Sequence, residues 1–195
     1  MPHPKPRILV FAGSIRSGSH NARLAALAAK TLALRDAEVT LISLADYPLP
    51  IYDGDLEAAE GVPENAKKLH RLFAAHQGIF IASPEYNGSY TPLLKNTIDW
   101  VSRVRNADWG LAFRGRVFAV GGASPGVYGA MRSLLHFRHV LEIGIGATVI
   151  PEQIAVGGAA EAFTDKGDFT AEANTRRLGA MLDRLVEEAA RYASP

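Results

Sequence analysis

Residues 13–21 concentrate the side chains that could bind an anion. They read Gly-Ser-Ile-Arg-Ser-Gly-Ser-His-Asn and follow the apolar run 8–12. Arg16 can form a charge-assisted fork, and short polar donors surround it: Ser14, Ser17, Ser19 and Asn21. The N–H groups and dipole of a helix that begins here would favour a phosphate. We therefore predict a bound phosphate monoester at this first loop (residues 13–21).

Ordinary helix capping is the alternative explanation of the first loop, because Ser and Asn are common N-caps and Gly is common in turns. One cap does not need three serines, an asparagine and an arginine. The loop matches neither G-x-x-x-x-G-K-[ST] nor G-x-G-x-x-G, which argues against an ATPase and a Rossmann dehydrogenase. Without that glycine pattern, Asp46 is better explained as a solvated acid than as a ribose ligand.

Two further loops carry residues that suit a flat ring. The second loop (residues 83–90) reads Ser-Pro-Glu-Tyr-Asn-Gly-Ser-Tyr, and the third loop (residues 122–129) is rich in glycine. Pro84 fixes a turn, Tyr86 offers an aromatic face and Gly88 permits close backbone approach, as a flavin would require. The alternative is that these are usual loop residues and that the aromatic ring covers the core.

Strand-like and helix-like segments alternate along the chain and position these loops. Short apolar runs predict five strands, at 7–13, 38–44, 78–82, 116–121 and 147–150. Amphipathic spacing predicts helices at 20–35, 63–76, 92–103, from 131 to about 141, and 171–192. Residues 46–61 are predicted as a loop, and 157–170 have no clear structure.

This alternation predicts an α/β fold, an open parallel sheet with helices on both faces. Ligands of such sheets bind outside the carboxyl ends of the strands. The three loops follow the first, third and fourth strands, so they fall on that edge. One elongated ligand could place a phosphate at the first loop and a ring between the other two.

Composition limits the class of protein. We predict that 195 residues form one domain over 7–195, after a disordered tail at 1–6. A net charge of +1 predicts no nucleic-acid partner and no membrane surface. The absence of cysteine excludes disulfides and thiolate ligands, and we assign no metal ligands. No apolar stretch is long enough to span a membrane and the start is a poor signal peptide, so the cytoplasm is expected.

Three motifs together resemble the NADPH-dependent FMN reductase family of flavodoxin-like quinone, chromate and azo-dye reductases. They are Gly13-Ser14-Ile15-Arg16-x-x-Ser19-x-Asn21, then Ser83-Pro84-Glu85-Tyr86-Asn87-Gly88, then Leu94-Lys95-Asn96-x-x-Asp99-Trp100. The likeness runs from about residue 7 to 150. It implies a flavodoxin-like three-layer sandwich with strand order 2-1-3-4-5, and an FMN cofactor.

The resemblance also implies roles for individual residues. The FMN phosphate would be held by Ser14, Arg16, Ser19 and Asn21. The isoalloxazine would be lined, largely through backbone groups, by Pro84, Glu85, Tyr86 and Asn87, and Ser124 and Gly126 would complete the pocket. The helix with Lys95, Asn96, Asp99 and Trp100 would pack at a dimer interface, although packing within its own subunit is the alternative. A homodimer or homotetramer is expected.

The expected activity is hydride transfer from NADPH or NADH through FMN to a quinone, azo compound, metal oxyanion or free flavin. Since the cofactor carries this chemistry, we name no catalytic acid or base. One alternative is a flavodoxin-type electron carrier, but the 21 basic and 20 acidic residues lack the acidic excess that such carriers use for docking. Another is a phosphate-sugar or nucleotide enzyme without flavin. Arg103, Arg105 and Arg114 are candidates to meet the 2′-phosphate of NADPH, and the alternative is that they are surface arginines that contact only solvent.

Overall fold

The computed structural model describes residues 5–105 and 110–193. Its five strands are β1 (Arg7–Ala12), β2 (Glu38–Leu41), β3 (Gly78–Ala82), β4 (Val117–Ala123) and β5 (Thr148–Val156). Its six α-helices are α1 (His20–Leu32), α2 (Gly54–Glu60), α3 (Glu64–Ala75), α4 (Pro92–Arg103), α5 (Met131–His139) and α6 (Glu172–Ala190). A 3₁₀ turn covers Leu44–Asp46, and a π-helical turn, Val140–Gly144, follows α5.

The strands form one parallel sheet in the order β2-β1-β3-β4-β5, which confirms the predicted flavodoxin-like topology. Side chains alternate between its two faces. In β1, Ile8 and Val10 pack on the face that α1 and α6 cover, whereas Leu9 and Phe11 pack on the face of α3, α4 and α5. Both faces of the central strands are buried, which explains their unbroken apolar runs.

Two segments differ from the sequence expectations: a helix lies in the predicted loop at 46–61, and the second strand ends earlier than predicted. The region expected to be a loop at 46–61 contains α2, which Asp53 caps by accepting hydrogen bonds from the Asp55 and Leu56 N–H groups. Helix α2 buries no residue, so it had no apolar stripe to reveal it. Strand β2 is shorter than expected, because Ser43 caps the 3₁₀ turn that follows it.

Strand β5 is longer than the segment predicted at 147–150. Its pairing with β4 slips between Phe118 and Val120, where Val149 and Gln153 are the neighbouring partners. This irregularity takes up Pro151, which has no N–H group and is tolerated on an edge strand. The proline interrupts the apolar pattern, so sequence periodicity ended the strand too early.

The start of the chain and the segment 157–170 both pack against the rest of the fold. Residues 1–4 of the predicted tail lie outside the described residues, but Pro6 is buried and its carbonyl accepts a hydrogen bond from the Glu38 N–H at 3.0 Å. Residues 157–170 contain neither helix nor strand, as expected. They nevertheless bury Phe163 and Phe169, whose rings lie 5.1 Å apart, and Arg23 stacks on Phe163. Across the described ranges, no helix has the length and apolar content to cross a membrane.

Glycines let the third loop lie directly against the end of β5. A Cβ atom on Gly157 would stand 2.6 Å from the Val127 carbonyl oxygen. One on Gly129 would stand 2.6 Å from the Val156 backbone. Backbone cannot move aside as a flexible side chain can. The third loop is therefore held in place by close backbone packing.

Replacing Gly157 by alanine should destabilise the protein by about 2 kcal/mol, because the new methyl group forces the third loop away from β5. Thermal or urea unfolding measures this loss. Gly54→Ala is the matched control, since a Cβ atom there meets nothing within 4 Å. Equal stability of the two variants would contradict the close packing.

Candidate functional site

The three loops meet at one edge of the sheet because β1, β3 and β4 are neighbours and run in the same direction. Backbone hydrogen bonds continue the contacts beyond the strands. The Gly13 N–H donates to the Ala82 carbonyl at 2.8 Å, and the Ser83 N–H donates to the Gly121 carbonyl at 2.7 Å. The edge predicted to hold a ligand is thus assembled from the predicted loops.

The first loop keeps its hydrogen-bond donors available. The Arg16 side chain is exposed and makes only long contacts with the Ser17 and Gly18 carbonyls of its own loop, at 3.5 and 3.4 Å. The N–H groups of Ile15, Ser17 and Gly18 have no acceptor among the described residues. Helix α1 has no acidic residue in its first turn. This end of the site therefore suits an anion.

Two serines of the first loop use their oxygens to shape it. Ser14 Oγ accepts a hydrogen bond from the Arg16 N–H at 3.3 Å. Ser19 is the N-cap of α1, and its Oγ accepts from the Ala22 N–H at 3.3 Å. Because a hydroxyl also has a proton to donate, each serine can cap the backbone and still face a ligand. The capping explanation of Ser19 and the anion-binding prediction are compatible.

The second loop contains a tight turn. Tyr86 and Ser89 exchange backbone hydrogen bonds of 2.8 and 3.1 Å, while Asn87 and Gly88 have φ angles of +52° and +81°. Two successive left-handed residues define a type I′ turn, for which Asn-Gly is the preferred pair. Half-exposed Tyr86 stands at one end of the turn.

The Glu85 side chain is directed into the protein, where it binds the start of α5. Only 7% of it is exposed, and it accepts hydrogen bonds from the Arg132 and Ser133 N–H groups at the start of α5. It also pairs with the Arg132 guanidinium, with Nε at 2.7 Å from Oε1. Burial by itself would raise the pKa of Glu85, but the hydrogen bonds from Arg132 and Ser133 lower it below its ordinary value. The carboxylate of Glu85 is therefore occupied within the protein, and only its backbone groups are left for a ligand.

The first two residues of the third loop, Gly122 and Ala123, continue β4, which extends two residues beyond the predicted strand end. The Ser124 N–H donates to the Val156 carbonyl at 3.0 Å, and the Ser124 hydroxyl accepts from the Gly126 N–H at 3.3 Å. Gly126 is exposed. The loop ends with Gly129 and Ala130 at φ angles of +57° and +72°, which turns the chain into α5.

Side chains that link one loop to another were partly missed by sequence reasoning. Thr91 Oγ1 donates to the Gly13 carbonyl at 2.7 Å and caps α4, and Ser133 Oγ donates to the Pro84 carbonyl at 2.7 Å. Asn21, predicted at the phosphate, bonds through its amide to both backbone groups of Ala123. The N-cap pattern before α4 was the available signal for Thr91. Nothing local marks Ser133.

Helix α4 uses its predicted interface residues within the subunit. The Asn96 amide accepts from the Tyr52 N–H and donates to the Pro50 carbonyl, both at 2.8 Å. The Trp100 indole also donates to the Pro50 carbonyl at 2.8 Å. Lys95 pairs with Asp99 one turn along the helix. The intrachain alternative therefore accounts for these four side chains.

The predicted partners of a 2′-phosphate lie at the opposite edge of the sheet. Helix α4 returns antiparallel to β3, so Arg103, at its last turn, and Arg105 lie near the amino ends of the strands. Arg114 lies three positions before the start of β4. Arg103 pairs with Glu57. A cavity of about 760 Å³ lies beside Arg105 and Arg114. These arginines are therefore not part of the three-loop site.

A 2-1-3-4-5 parallel sheet, with three loops joined to one another at the carboxyl ends of β1, β3 and β4, defines the flavodoxin-like class of fold. The sequence profile of the NADPH-dependent FMN reductase family matches residues 6–161. The chain belongs to that family. It is an oxidoreductase that uses FMN and NAD(P)H, so the enzyme prediction is confirmed over the electron-carrier alternative.

Known relatives span most of this chain. It is 36% identical over 155 residues to a quinone reductase of Escherichia coli, covering 79% of this chain and 78% of the relative. It is 32% identical over 162 residues to an NAD(P)H-dependent FMN reductase of Pseudomonas aeruginosa, covering 83% of each. The solved flavoenzyme NAD(P)H:(acceptor) oxidoreductase of Paracoccus denitrificans superposes with a TM-score of 0.80 at 28% identity, over 96% of this chain and 98% of that one.

Glu85→Gln should lower the free energy of unfolding at pH 7 by about 2 kcal/mol, because an amide cannot replace a nearly buried carboxylate facing Arg132. Since folding lowers the pKa of Glu85, its stabilisation is complete above about pH 4.3 and is lost as the pH falls through the folded pKa. The difference from wild type should therefore shrink in acid. Unfolding curves from pH 7 to 3 measure it.

Glu172→Gln provides the control for the same chemical change. Glu172 pairs with Arg176 on the surface of α6, and both side chains are mostly exposed. Its replacement should have a much smaller effect at pH 7. An equally small effect of Glu85→Gln would contradict the structural role of that carboxylate.

Proposed function

We propose that this chain reduces quinones with electrons from NADPH or NADH, with FMN bound across the three loops. The observation that carries the proposal is that the three loops lie together at the carboxyl edge of the sheet. There, the N–H groups and the Arg16 side chain of the first loop lie beside the turn of the second loop and the exposed third loop. The E. coli relative is a quinone reductase, which favours quinones over azo compounds, metal oxyanions and free flavin as acceptors.

The residues present fit FMN. At the first loop, we propose that the unpaired N–H groups, the Arg16 guanidinium and the hydroxyls of Ser14 and Ser19 hold the phosphate. At the other end, the ring would contact the backbone of Pro84, Glu85, Tyr86 and Asn87, with Ser124 and Gly126 on the side of the third loop. When bound, FMN accepts hydride from the reduced nicotinamide and passes the electrons to the acceptor.

The chain's own part in this reaction is binding and orientation. The type I′ turn fixes where backbone groups of the second loop point, and Glu85 anchors that loop to α5. The exposed side chains of Tyr86, Val127 and Tyr128 give the rim of the site an aromatic and apolar surface. A planar, weakly polar acceptor such as a quinone suits such a rim.

Anaerobic titration of the FMN-loaded protein with NADPH, and separately with NADH, tests the reaction. Prompt loss of the yellow flavin absorbance and its recovery on adding a benzoquinone are expected. The concentration of each nicotinamide that gives half-reduction reveals the preferred donor. Flavin that dithionite bleaches and neither nicotinamide does would overturn the proposal. Recovery with an azo dye but not with a quinone would instead reassign the acceptor.

We also propose that the protein forms a homodimer or homotetramer through the start of α5. Met131 and Leu135 lie four residues apart on α5 and are both exposed, Leu135 by 56%. Val127, in the third loop before α5, is exposed as well. Tyr128 is exposed beside them. An apolar surface of this kind on a folded chain is typical of a protein interface.

Light scattering coupled to size exclusion should give a mass that is two or four times 20.9 kDa. Leu135→Asp should lower that mass, because it places a charge in the apolar surface. Leu34→Asp is the control, since Leu34 is 85% exposed and lies apart from α5, just beyond the end of α1. A wild-type mass of 20.9 kDa would refute the proposed oligomer.

A further inference from the structure

The Asn21 side chain occupies the place of a missing strand beside the end of β4. Strand β3 ends at Ala82, which pairs with Gly121, whereas β4 continues to Ala123. The chain after Ser83 proceeds to Pro84, which has no N–H group to extend the ladder. On its other side, β4 still pairs with β5, with Ala123 opposite Val156. The β3 side of Ala123 therefore has no strand neighbour.

The amide of Asn21 satisfies both backbone groups of Ala123 there. Its Oδ1 accepts from the Ala123 N–H at 2.9 Å, and its Nδ2 donates to the Ala123 carbonyl at 2.9 Å. A carboxamide offers the same donor and acceptor as a peptide group, so it can imitate the next strand. Ala123 is 3% exposed, and without Asn21 its N–H and carbonyl would be buried and unpaired.

These bonds compete with a role in holding phosphate. Both polar atoms of the Asn21 side chain already have partners, whereas the Ser19 hydroxyl, which is buried to the same extent, still has a proton to donate. Arg16, by contrast, is exposed and has only long contacts with its own loop. The two residues were grouped by the sequence, but their surroundings differ.

Asn21 also connects two loops of the proposed site. It is the last residue of the first loop and the second residue of α1, and Ala123 is the last residue of β4 and the second residue of the third loop. The bond pair therefore joins the anion end of the site to its ring end across 102 positions of sequence. Thr91 joins the first and second loops in a similar way, through its bond to the Gly13 carbonyl.

We propose that Asn21 is a positioning residue: it locks the third loop to the start of α1 and does not itself hold the cofactor's phosphate. The inference rests on the proposed FMN site. Its consequence is that the ring end of the site depends on a residue of the phosphate loop. Removing Asn21 should then weaken binding of the flavin ring whether or not the ligand carries a phosphate.

Comparing FMN with riboflavin separates this role from phosphate binding, because the two ligands differ only in the phosphate. Quenching of flavin fluorescence gives both dissociation constants for wild type, Asn21→Ala and Arg16→Ala. Asn21→Ala should raise both constants by a similar factor, roughly tenfold. Arg16→Ala should raise the constant for FMN by roughly tenfold and leave that for riboflavin nearly unchanged.

Each other outcome has a defined meaning. If Asn21→Ala weakens FMN alone, Asn21 is a phosphate ligand and the inference is overturned. If it lowers the unfolding temperature and changes neither constant, its bonds serve stability only, and the inference is again overturned. If wild type binds neither flavin, or Arg16→Ala changes neither constant, the proposed FMN site fails independently of Asn21.

A second variant keeps the test available if Asn21→Ala does not fold. Asn21→Ser keeps a polar group but cannot reach both backbone groups of Ala123, so it should show the same parallel loss at smaller amplitude. Thr91→Val and Thr91→Ser give a matched comparison at the hydrogen bond that joins the first and second loops, since only serine retains the hydroxyl that bonds to the Gly13 carbonyl. Their dissociation constants for riboflavin should therefore differ.

Discussion

Buried peptide groups at the carboxyl edge of the sheet need hydrogen-bond partners after the neighbouring strands have ended. A central parallel strand bonds its N–H and carbonyl groups to the adjacent strands, but these hydrogen-bond partners are missing where the loops begin. In this protein, side chains of Asn21, Thr91 and Ser133 take over, and each bonds to backbone of a different loop or strand end. The site exists because these loops are tied to one another.

The same constraint explains why several polar residues of the site face inwards. Glu85 satisfies the first N–H groups of α5 and compensates the charge of Arg132, so its carboxylate is part of the scaffold. Ser19 caps α1 while keeping a proton to donate. The exposed Arg16 side chain differs from these residues, because it makes only long contacts with carbonyls of its own loop.

Glycine has a related role at the third loop. The backbones of Val127 and Val156 approach Gly157 and Gly129 so closely that no side chain fits between them. This contact holds the loop from the side of β5, while Asn21 holds its start from the side of α1. Two independent restraints therefore fix the loop that would contact the flavin ring, which reduces the entropy lost when a ligand binds.

The sequence by itself determined the class of fold and the family, and it predicted that the three loops lie at one edge of the sheet. Apolar runs such as 78–82 are local signals, and the motif around Arg16 is contiguous, so neither needs knowledge of distant residues. Tertiary structure decided which polar residues remain free for a ligand. Asn21 and Glu85 look like ligands in the sequence, but their partners, Ala123 and Arg132, lie 102 and 47 positions away. Local patterns cannot show such partners, because the folded sheet alone brings them within hydrogen-bonding distance.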